Sequence, residues 1–394
     1  MKQNNMIQMI EQSQVEWKTL GEVAEFRRGS FPQPYGESEW YGGEEAMPFV
    51  QVVDVGEDMK LVDDTKNKIS KLAQPKSVFV PQGSVIVTLQ GSIGRVAITQ
   101  YDAYVDRTLA IFEKYKIDID KKYFAYQLED IFKTKKQNAR GSTIKTITKQ
   151  EFSEFQIPIP PLETQKEIVR ILDALTAVTS ELTSELKLRQ KQYQYYRDHL
   201  LSFGDDVEWK SLGEIGEVRM CKRILKEQTS EYGDIPFYKI GTFGKEANAY
   251  ISRKLFEEYK AKYNYPKKGD ILISASGTIG RTVIFDGKDS YFQDSNIVWI
   301  ENDESQVLNK YLFYFYQIVN WNISEGGTIQ RLYNDNLKKV KIPIPPLEIQ
   351  AKIVEILDKF DRLTHSLSEG LPKEIELRRK QYEYYREKLL NFPK

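Results

Sequence analysis

The chain has 394 residues, 40% hydrophobic and 29% charged, with Lys+Arg and Asp+Glu both at 57 and a formal net charge of zero. That length allows two or three domains, that composition excludes global disorder, and neutrality leaves any nucleic-acid contact to local basic patches or to a partner sharing the duplex. A single cysteine, Cys221, excludes a disulfide framework and a cysteine-based zinc site and fits a reducing cytoplasm.

No apolar run reaches the ~18 residues of a membrane span. The opening MKQNNMIQMIEQSQ lacks an apolar core with a cleavage site, so export is not expected. Val15 to Phe26 then reads VEWKTLGEVAEF, and Val207 to Val218 reads VEWKSLGEIGEV, so the chain repeats itself. Between Pro48 and Ile98, short β-branched runs broken by turn residues (PFVQVVDV, SVFVPQGSVIVTL, GSIGRVAI) predict strands. PFYKI, YPKKGDILISA and GTIGRTVI answer them in the second half. Gly91-Ser-Ile-Gly-Arg95 and Gly277-Thr-Ile-Gly-Arg281 fall between strands in both copies, where paired glycines permit a tight turn.

Aromatic-rich segments from Lys121 (KKYFAYQLEDIF) and Asn309 (NKYLFYFYQIVN) predict helices. The loops RGSTIKTITK and EGGTIQRLYN follow from Arg140 and Glu325. Each half closes with a short strand running into Ile-Pro-Ile-Pro-Pro-Leu, where proline cannot continue a strand and suits a helix start.

Leu162 to Phe203 contains no Gly and no Pro and predicts one long helix, roughly 60 Å at 1.5 Å per residue. Steps of 4 and 3 from Ile168 reach Leu172, Leu175, Thr179, Leu182, Leu186, Arg189, Tyr193, Tyr196, Leu200 and Phe203, a heptad seam. The stretch returns at the C-terminus as IPIPPLEIQAKIVEILDKFD and LRRKQYEYYREKLLNF, with the offset between copies growing from 185 to 189. The inserted residues lie around Ser368 to Pro372, and Gly370 with Pro372 should kink or restart the helix there. Matching seams in one chain invite antiparallel pairing. The tandem Thr179-Ser-Glu-Leu182 and Thr183-Ser-Glu-Leu186 sits mid-helix, where length would be transmitted.

The expected architecture is thus mixed α/β (α+β): globules at 1–161 and 204–346, long helices at 162–203 and 347–394, and an internal pseudo-two-fold repeat. No catalytic constellation is visible. His199 and His365 fall inside the long helices, and the glycine pairs lack the context of a nucleotide fingerprint.

Cations at matched loops do stand out. Lys133, Lys135, Lys136, Arg140 and Lys145 interleave with Ser142 and Thr143, which suits a loop lying on phosphates. Thr328, Gln330 and Arg331 answer more weakly in the second copy. Arg27-Arg28 and Lys222-Arg223 follow the first motif of each half, and Arg95 and Arg281 close the two glycine turns. Tyr193, Tyr195, Tyr196, Tyr382, Tyr384 and Tyr385 put more rings on each helix than one seam can bury, so the surplus predicts anchors for a protein partner.

Two divergent globules, each opening with WK-SL-GE and closing with IPIPPLE-Q--I--ILD, followed by RRKQYEYYREKLL, resemble the specificity subunit of type I restriction-modification systems across essentially the whole chain. The resemblance implies two target recognition domains, each reading half of a bipartite double-stranded DNA site. It implies an antiparallel coiled coil that sets the gap and docks two methyltransferase (modification) subunits, with the restriction subunit joining through the complex. It also implies a cytoplasmic subunit with no catalytic residues and no cofactor of its own. Base-reading residues do not transfer, because recognition domains diverge.

Two rivals make different demands. A self-contained methyltransferase would need a cofactor glycine motif and an Asn/Asp-Pro-Pro-aromatic site, whereas Pro160-Pro161 and Pro345-Pro346 sit between Ile-Pro-Ile and Leu. A protein-only coiled-coil scaffold would show no sequence-selective hold on DNA.

Overall fold

The computed structural model describes residue 10 and residues 13–56, 58–138, 148–321 and 330–393, without the side chains of 134–138. The chain divides into two compact units: unit 1 is Met1–Glu181 with Glu376–Lys394, and unit 2 is Leu182–Ile375. The division falls inside the long helices and not at their ends, so each unit is a globule plus a share of both helices.

In unit 1, a four-stranded antiparallel sheet runs in the order β2 (Ala24–Arg28), β9 (Leu109–Tyr115), β6 (Val85–Thr88), β7 (Val96–Ile98). A second sheet runs β4 (Asn67–Ile69), β3 (Met47–Val50), β8 (Ala103–Val105), β5 (Val78–Val80), with β3 and β8 parallel. A ribbon of β1 (Glu16–Thr19) and β10 (Gln156–Ile159) closes the globule.

Unit 2 repeats the order. Its antiparallel sheet is β12 (Val218–Met220), β18 (Ile297–Ile300), β15 (Ile271–Ser274), β16 (Thr282–Ile284). Beside it stand β14 (Tyr250–Ile251), β13 (Ile235–Tyr238) and β17 (Tyr291–Phe292), then the ribbon β11 (Glu208–Ser211) with β19 (Lys341–Ile344). No counterpart of β5 is present among the described residues. The centre strands β6 and β15, VIVT and ILIS, are buried at every position, as β-branched and aliphatic runs require between two layers.

The repeated motifs now have physical reasons. In WK(T/S)LGE, Trp17 and Trp209 sit opposite Pro158 and Pro343 on two-stranded ribbons, where proline deprives no inner ladder of a donor. Thr19 with Glu22, and Ser211 with Glu214, are capping boxes that start the one-turn helices α1 (Leu20–Val23) and α5 (Leu212–Ile215). Trp17 Nε1 donates to Pro393 O at 3.4 Å and Trp209 Nε1 to Gly204 O at 3.1 Å, so each ribbon receives the residue that follows a long helix.

The aromatic segments form α2 (Lys121–Asn138) and the shorter α7 (Asn309–Phe315). Short helices α3 (Lys149–Ser153) and α8 (Asn334–Lys338) precede the closing strands of the two globules, and α6 (Arg253–Lys262) lies between β14 and β15. The first long helix, α4, runs Leu162–Leu200, three residues short of the expected end. The second is broken, as Gly370 and Pro372 predict: α9 covers Leu347–His365 and α10 covers Gly370–Leu390. Gly370 takes φ 77°, and a Cβ there would meet Arg362 O at 2.3 Å, so glycine is required at the break.

Along the α4 seam every stop is buried or half-buried except Tyr196. In unit 2, Tyr193 packs 5.3 Å from His365, and Tyr196 stacks 5.4 Å from Phe360, so α4 and α9 run antiparallel. In unit 1, Ile168, Ile171 and Leu172 share one core with Leu389 and Leu390 of α10.

Candidate nucleic-acid interface

The glycine turns are built identically. Thr88 Oγ1 of β6 donates to Ser92 O and accepts from Arg95 N at 3.0 Å; Ser274 Oγ of β15 donates to Thr278 O and accepts from Arg281 N at 2.9 Å. Gly94 and Gly280 both take φ 79°, and added Cβ atoms would strike Phe132 at 2.4 Å and Trp321 at 2.1 Å. The second glycine of each motif therefore lets an aromatic lie on the turn, Phe132 from within α2 in unit 1 and Trp321 from beyond α7 in unit 2.

These turns lie at the same sheet end as the other segments singled out by sequence. In unit 1, Gly29 N donates to Leu109 O at 3.2 Å, Ser30 N to Val105 O at 3.0 Å, and Leu89 N to Thr108 O at 2.8 Å. Asp106 N donates to Val50 O at 3.0 Å, joining the ends of β3 and β8 to the same surface. Arg27-Arg28, Val50-Gln51, Asp106–Thr108 and Leu89–Arg95 thus form one tip.

Unit 2 repeats it. Ala275 N donates to Asn296 O at 2.7 Å, Gln293 N to Tyr238 O at 2.9 Å, and Leu332 N to Ala275 O at 2.8 Å. Arg331 Nη2 donates to Ser295 O at 2.7 Å, so the chain re-emerging after 322–329 is tied down there.

The predicted residues divide into three groups. Arg27 is exposed on β2, 3.5 Å from Glu113, Arg28 is half-buried beside it, and Lys133 is exposed one residue past the ring on Gly94. Lys222 lies over the Tyr263 ring at 5.2 Å, Arg223 reaches Asp294 at 3.6 Å with most of its side chain exposed, and Gln330 is exposed next to Arg331. These stand at the tips.

Arg95 and Arg281 instead serve the interior of the fold. Nη1 of each donates at 3.1 Å to a backbone carbonyl, Val55 O and Phe243 O, clamping the turn to the segment that follows β3 or β13. Expected among the DNA-binding residues, both make these bonds from half-buried side chains, which gives each a part in holding the turn. Arg140, Ser142, Thr143, Lys145 and Thr328 lie outside the described residues; Lys135 and Lys136 belong to the last turns of α2.

The structure adds Gln51, Lys239, Asp106, Arg107 and Gln293, which periodicity did not reveal. A signal existed. Strands PFV and PFY match, yet the next residues, Gln51 and Lys239, differ, and divergence at the end of a matched strand marks a variable tip.

The helix tyrosines also separate. Tyr193 is 3% exposed, its hydroxyl donates to Gln317 Oε1 at 3.0 Å, and its ring is committed inside unit 2. Tyr382 and Tyr385 pack half-buried on the unit 1 core. Tyr195 and Tyr384, matched in the repeat, are 65% and 55% exposed; Leu188 and Leu377, seven residues earlier, are 62% and 47% exposed. Each pair marks a short apolar stripe on the outer face of its own helix, with Tyr196, 37% exposed, at its edge.

Among the described residues no helix is long and apolar enough to cross a membrane. The model of the type I restriction modification DNA specificity domain matches the chain twice, over residues 12–190 and 204–377. A putative type I restriction enzyme specificity subunit of Haemophilus influenzae is 49% identical over 98% of this chain and 97% of its own length. The specificity subunit of an Escherichia coli type I restriction enzyme is 38% identical over 62% of this chain and 65% of its own.

Among solved structures, a chain from work on complex assembly and conformational transition of the type I R-M system aligns over 96% of this chain and 97% of its own, at TM-score 0.62 and 17% identity. The S subunit of a type I restriction-modification system from M. genitalium aligns over 97% and 98%, at TM-score 0.56 and 16% identity; at such identities the likeness is one of fold. With two matched domains spanning most of its length and a full-length relative at nearly half identity, the chain belongs to the type I restriction-modification specificity subunit family.

Proposed function

We propose that this chain is the DNA sequence-recognition subunit of a type I restriction-modification complex, with the tip of each unit lying on one half of a bipartite duplex site. The observation that carries the reading is that segments far apart in sequence, basic or hydroxyl-rich and matched between the copies, converge on the same sheet end in both units. Cations position such a tip on phosphates, and sequence is read by the groups that stand between them.

The chain has no chemistry of its own in this reading. Two methyltransferase subunits dock on it, and the restriction subunit joins through them in the cytoplasm. The stripes Leu188–Tyr195 and Leu377–Tyr384 are the docking anchors, since exposed tyrosines on a rigid helix are low-entropy contacts. The paired helices set the unread spacer.

The test is retention of random duplex DNA by the chain with its modification partner. Enrichment of one bipartite motif is expected; retention without any motif would point to a protein-only scaffold. Arg223→Ala should weaken binding across all sequences and reduce the salt slope by about 0.9. Tyr195→Ala with Tyr384→Ala should lower co-purification of the methyltransferase while leaving the chain folded.

A further inference from the structure

At the unit 1 tip a chain of hydrogen bonds runs in one direction. Asp106 Oδ1 accepts from Thr108 N at 2.9 Å and Thr108 Oγ1 at 2.6 Å, which fixes the carboxylate. Its Oδ2 accepts from the Tyr35 hydroxyl at 2.6 Å. A carboxylate only accepts, so the phenolic proton is committed to it, and burial together with Asp106 pushes the phenol well above its ordinary pKa. The phenolic oxygen must then accept from Gln51 Nε2, at 2.8 Å, which turns Gln51 Oε1 to accept from Asn67 Nδ2 at 2.7 Å. An asparagine amide is ambiguous by shape alone. Here the carboxylate at the far end of the chain fixes it.

Asn67 is left with one N–H and its Oδ1, neither with a partner among the described residues. The side chain that carries them is half-buried, and Oδ1 is not among the buried unpartnered atoms. One donor beside one acceptor in a locked amide plane complements the N7 acceptor and N6 amino donor that adenine shows in the major groove. Arg107 belongs to the same tip, exposed, its guanidinium 5.6 Å from the Tyr35 ring centroid and with no acidic partner among the described residues.

Unit 2 has no such chain at the matched places: Lys239 replaces Gln51, and Gln293 Oε1, in the place of Asp106, accepts from Ile240 N at 3.0 Å. Resting on the DNA-recognition reading above, we propose that Asn67 reads an adenine in the half-site of unit 1, with Gln51, Tyr35 and Asp106 as the residues that position it.

The experiment uses the chain assembled with its modification subunits. It compares methylation rates on duplexes carrying each base pair at every half-site position and maps methylated sites in genomic DNA. Asn67→Ala should lose roughly ten- to a hundred-fold of its preference for adenine at one position of one half-site. The remaining positions, the other half-site and the spacer should stay unchanged. Asn67→Asp keeps the shape and removes the donor, so it should relax the same position, and it serves if the alanine variant fails to assemble. Tyr35→Phe should relax that position less, whereas a merely structural role would slow methylation of every site alike. An unchanged motif in both Asn67 variants, or loss spread over all positions, overturns the assignment. If the unaltered complex methylates without any sequence preference, the recognition reading itself falls, independently of Asn67.

Discussion

Gln165 of unit 1 accepts from Asp120 N at 2.9 Å and donates to Pro160 O at 2.8 Å; Gln350 of unit 2 accepts from Leu308 N at 2.8 Å and donates to Pro345 O at 2.7 Å. Tyr126 and Lys122 grip Asp173 as Tyr314 and Lys310 grip Asp358. Tyr123 donates to Pro158 O and Tyr311 to Pro343 O. The frame that joins helix to globule is thus nearly the same in the two units. The tips are not: Gln51, Asp106 and Arg107 stand where Lys239, Gln293 and Asp294 stand. A frame repeated with different ends is what reading two unlike half-sites from one scaffold needs.

One clamp breaks the likeness. In unit 1, Arg386 of α10 is 8% exposed and faces Glu129 at 3.5 Å and Asp130 at 3.6 Å. In unit 2 the matched residues are Arg197, Gln317 and Ile318, so a neutral amide replaces the acid pair, and Arg197 pairs at 2.8 Å with the exposed Asp198. Removing one partner of a buried ionic group costs far more than removing a surface pair. Arg386→Ala should therefore destabilise unit 1 by about 3–5 kcal/mol. Arg197→Ala should cost unit 2 no more than about 1 kcal/mol. Hydrogen exchange resolved by segment separates the units, and equal losses would erase the distinction.

The shared clamps should fail alike. Gln165→Leu and Gln350→Leu each leave buried backbone groups unpaired, at about 2–4 kcal/mol. Gln350 should be the costlier, because it also donates to Gln306 O at 2.9 Å. Urea unfolding of the two variants checks the order; a loss confined to one would mean that the repeated glutamine serves only one globule.

Legibility in the sequence followed the same division. The frame was readable because its causes are local or periodic: a Thr or Ser three residues before Glu caps a turn, a 3.5-residue period makes a seam, and Gly370 with Pro372 breaks a helix. The division of both helices between the units was not, since burial along a seam depends on partners brought from more than a hundred residues away. Nor was the fate of Tyr193, Arg95 or Arg281. Each belongs to a residue type enriched at interfaces, and each is committed inside the fold by an acceptor, Gln317, Val55 or Phe243, that no local pattern identifies. The tips carry no periodic signal at all, because their specificity lies in the direction of a hydrogen-bond chain.

A smaller effect comes from the acid pair itself. Burial pushes the Glu129 carboxyl up to about 7, with Arg386 opposing and Asp130 adding to the shift. A folded-state pKa above the ordinary value means that the folded chain holds the proton longer. The associated stability is present below about pH 4.5 and is lost as pH rises toward 7, at up to about 1.4 kcal/mol per pH unit. Glu129→Gln installs the residue type of unit 2. It should match the unaltered chain near pH 5 and exceed it by about 1–3 kcal/mol at pH 8. Parallel pH curves for the two chains would show that the carboxyl is already ionised at no cost.

The least stability change is expected from an edit that leaves both globules intact and alters only the helix the units share. In α4 the boundary between the units falls between Glu181 and Leu182, inside the tandem Thr179–Leu182 and Thr183–Leu186. One further Thr-Ser-Glu-Leu lengthens the helix by roughly 6 Å and turns the downstream part of the helix by about 400°, a net rotation near 40°. A base pair of B-DNA advances about 3.4 Å and rotates about 35°, so the rotation matches one step and the translation lies between one step and two. The insertion should leave both half-sites unchanged and lengthen the spacer by one base pair, with two as the outer limit; deleting one repeat should shorten it likewise. Mapping methylation in cells that carry the insertion decides the matter. An unchanged spacer at full activity would remove this segment as the ruler, and altered bases within a half-site would show that the tips do not read independently.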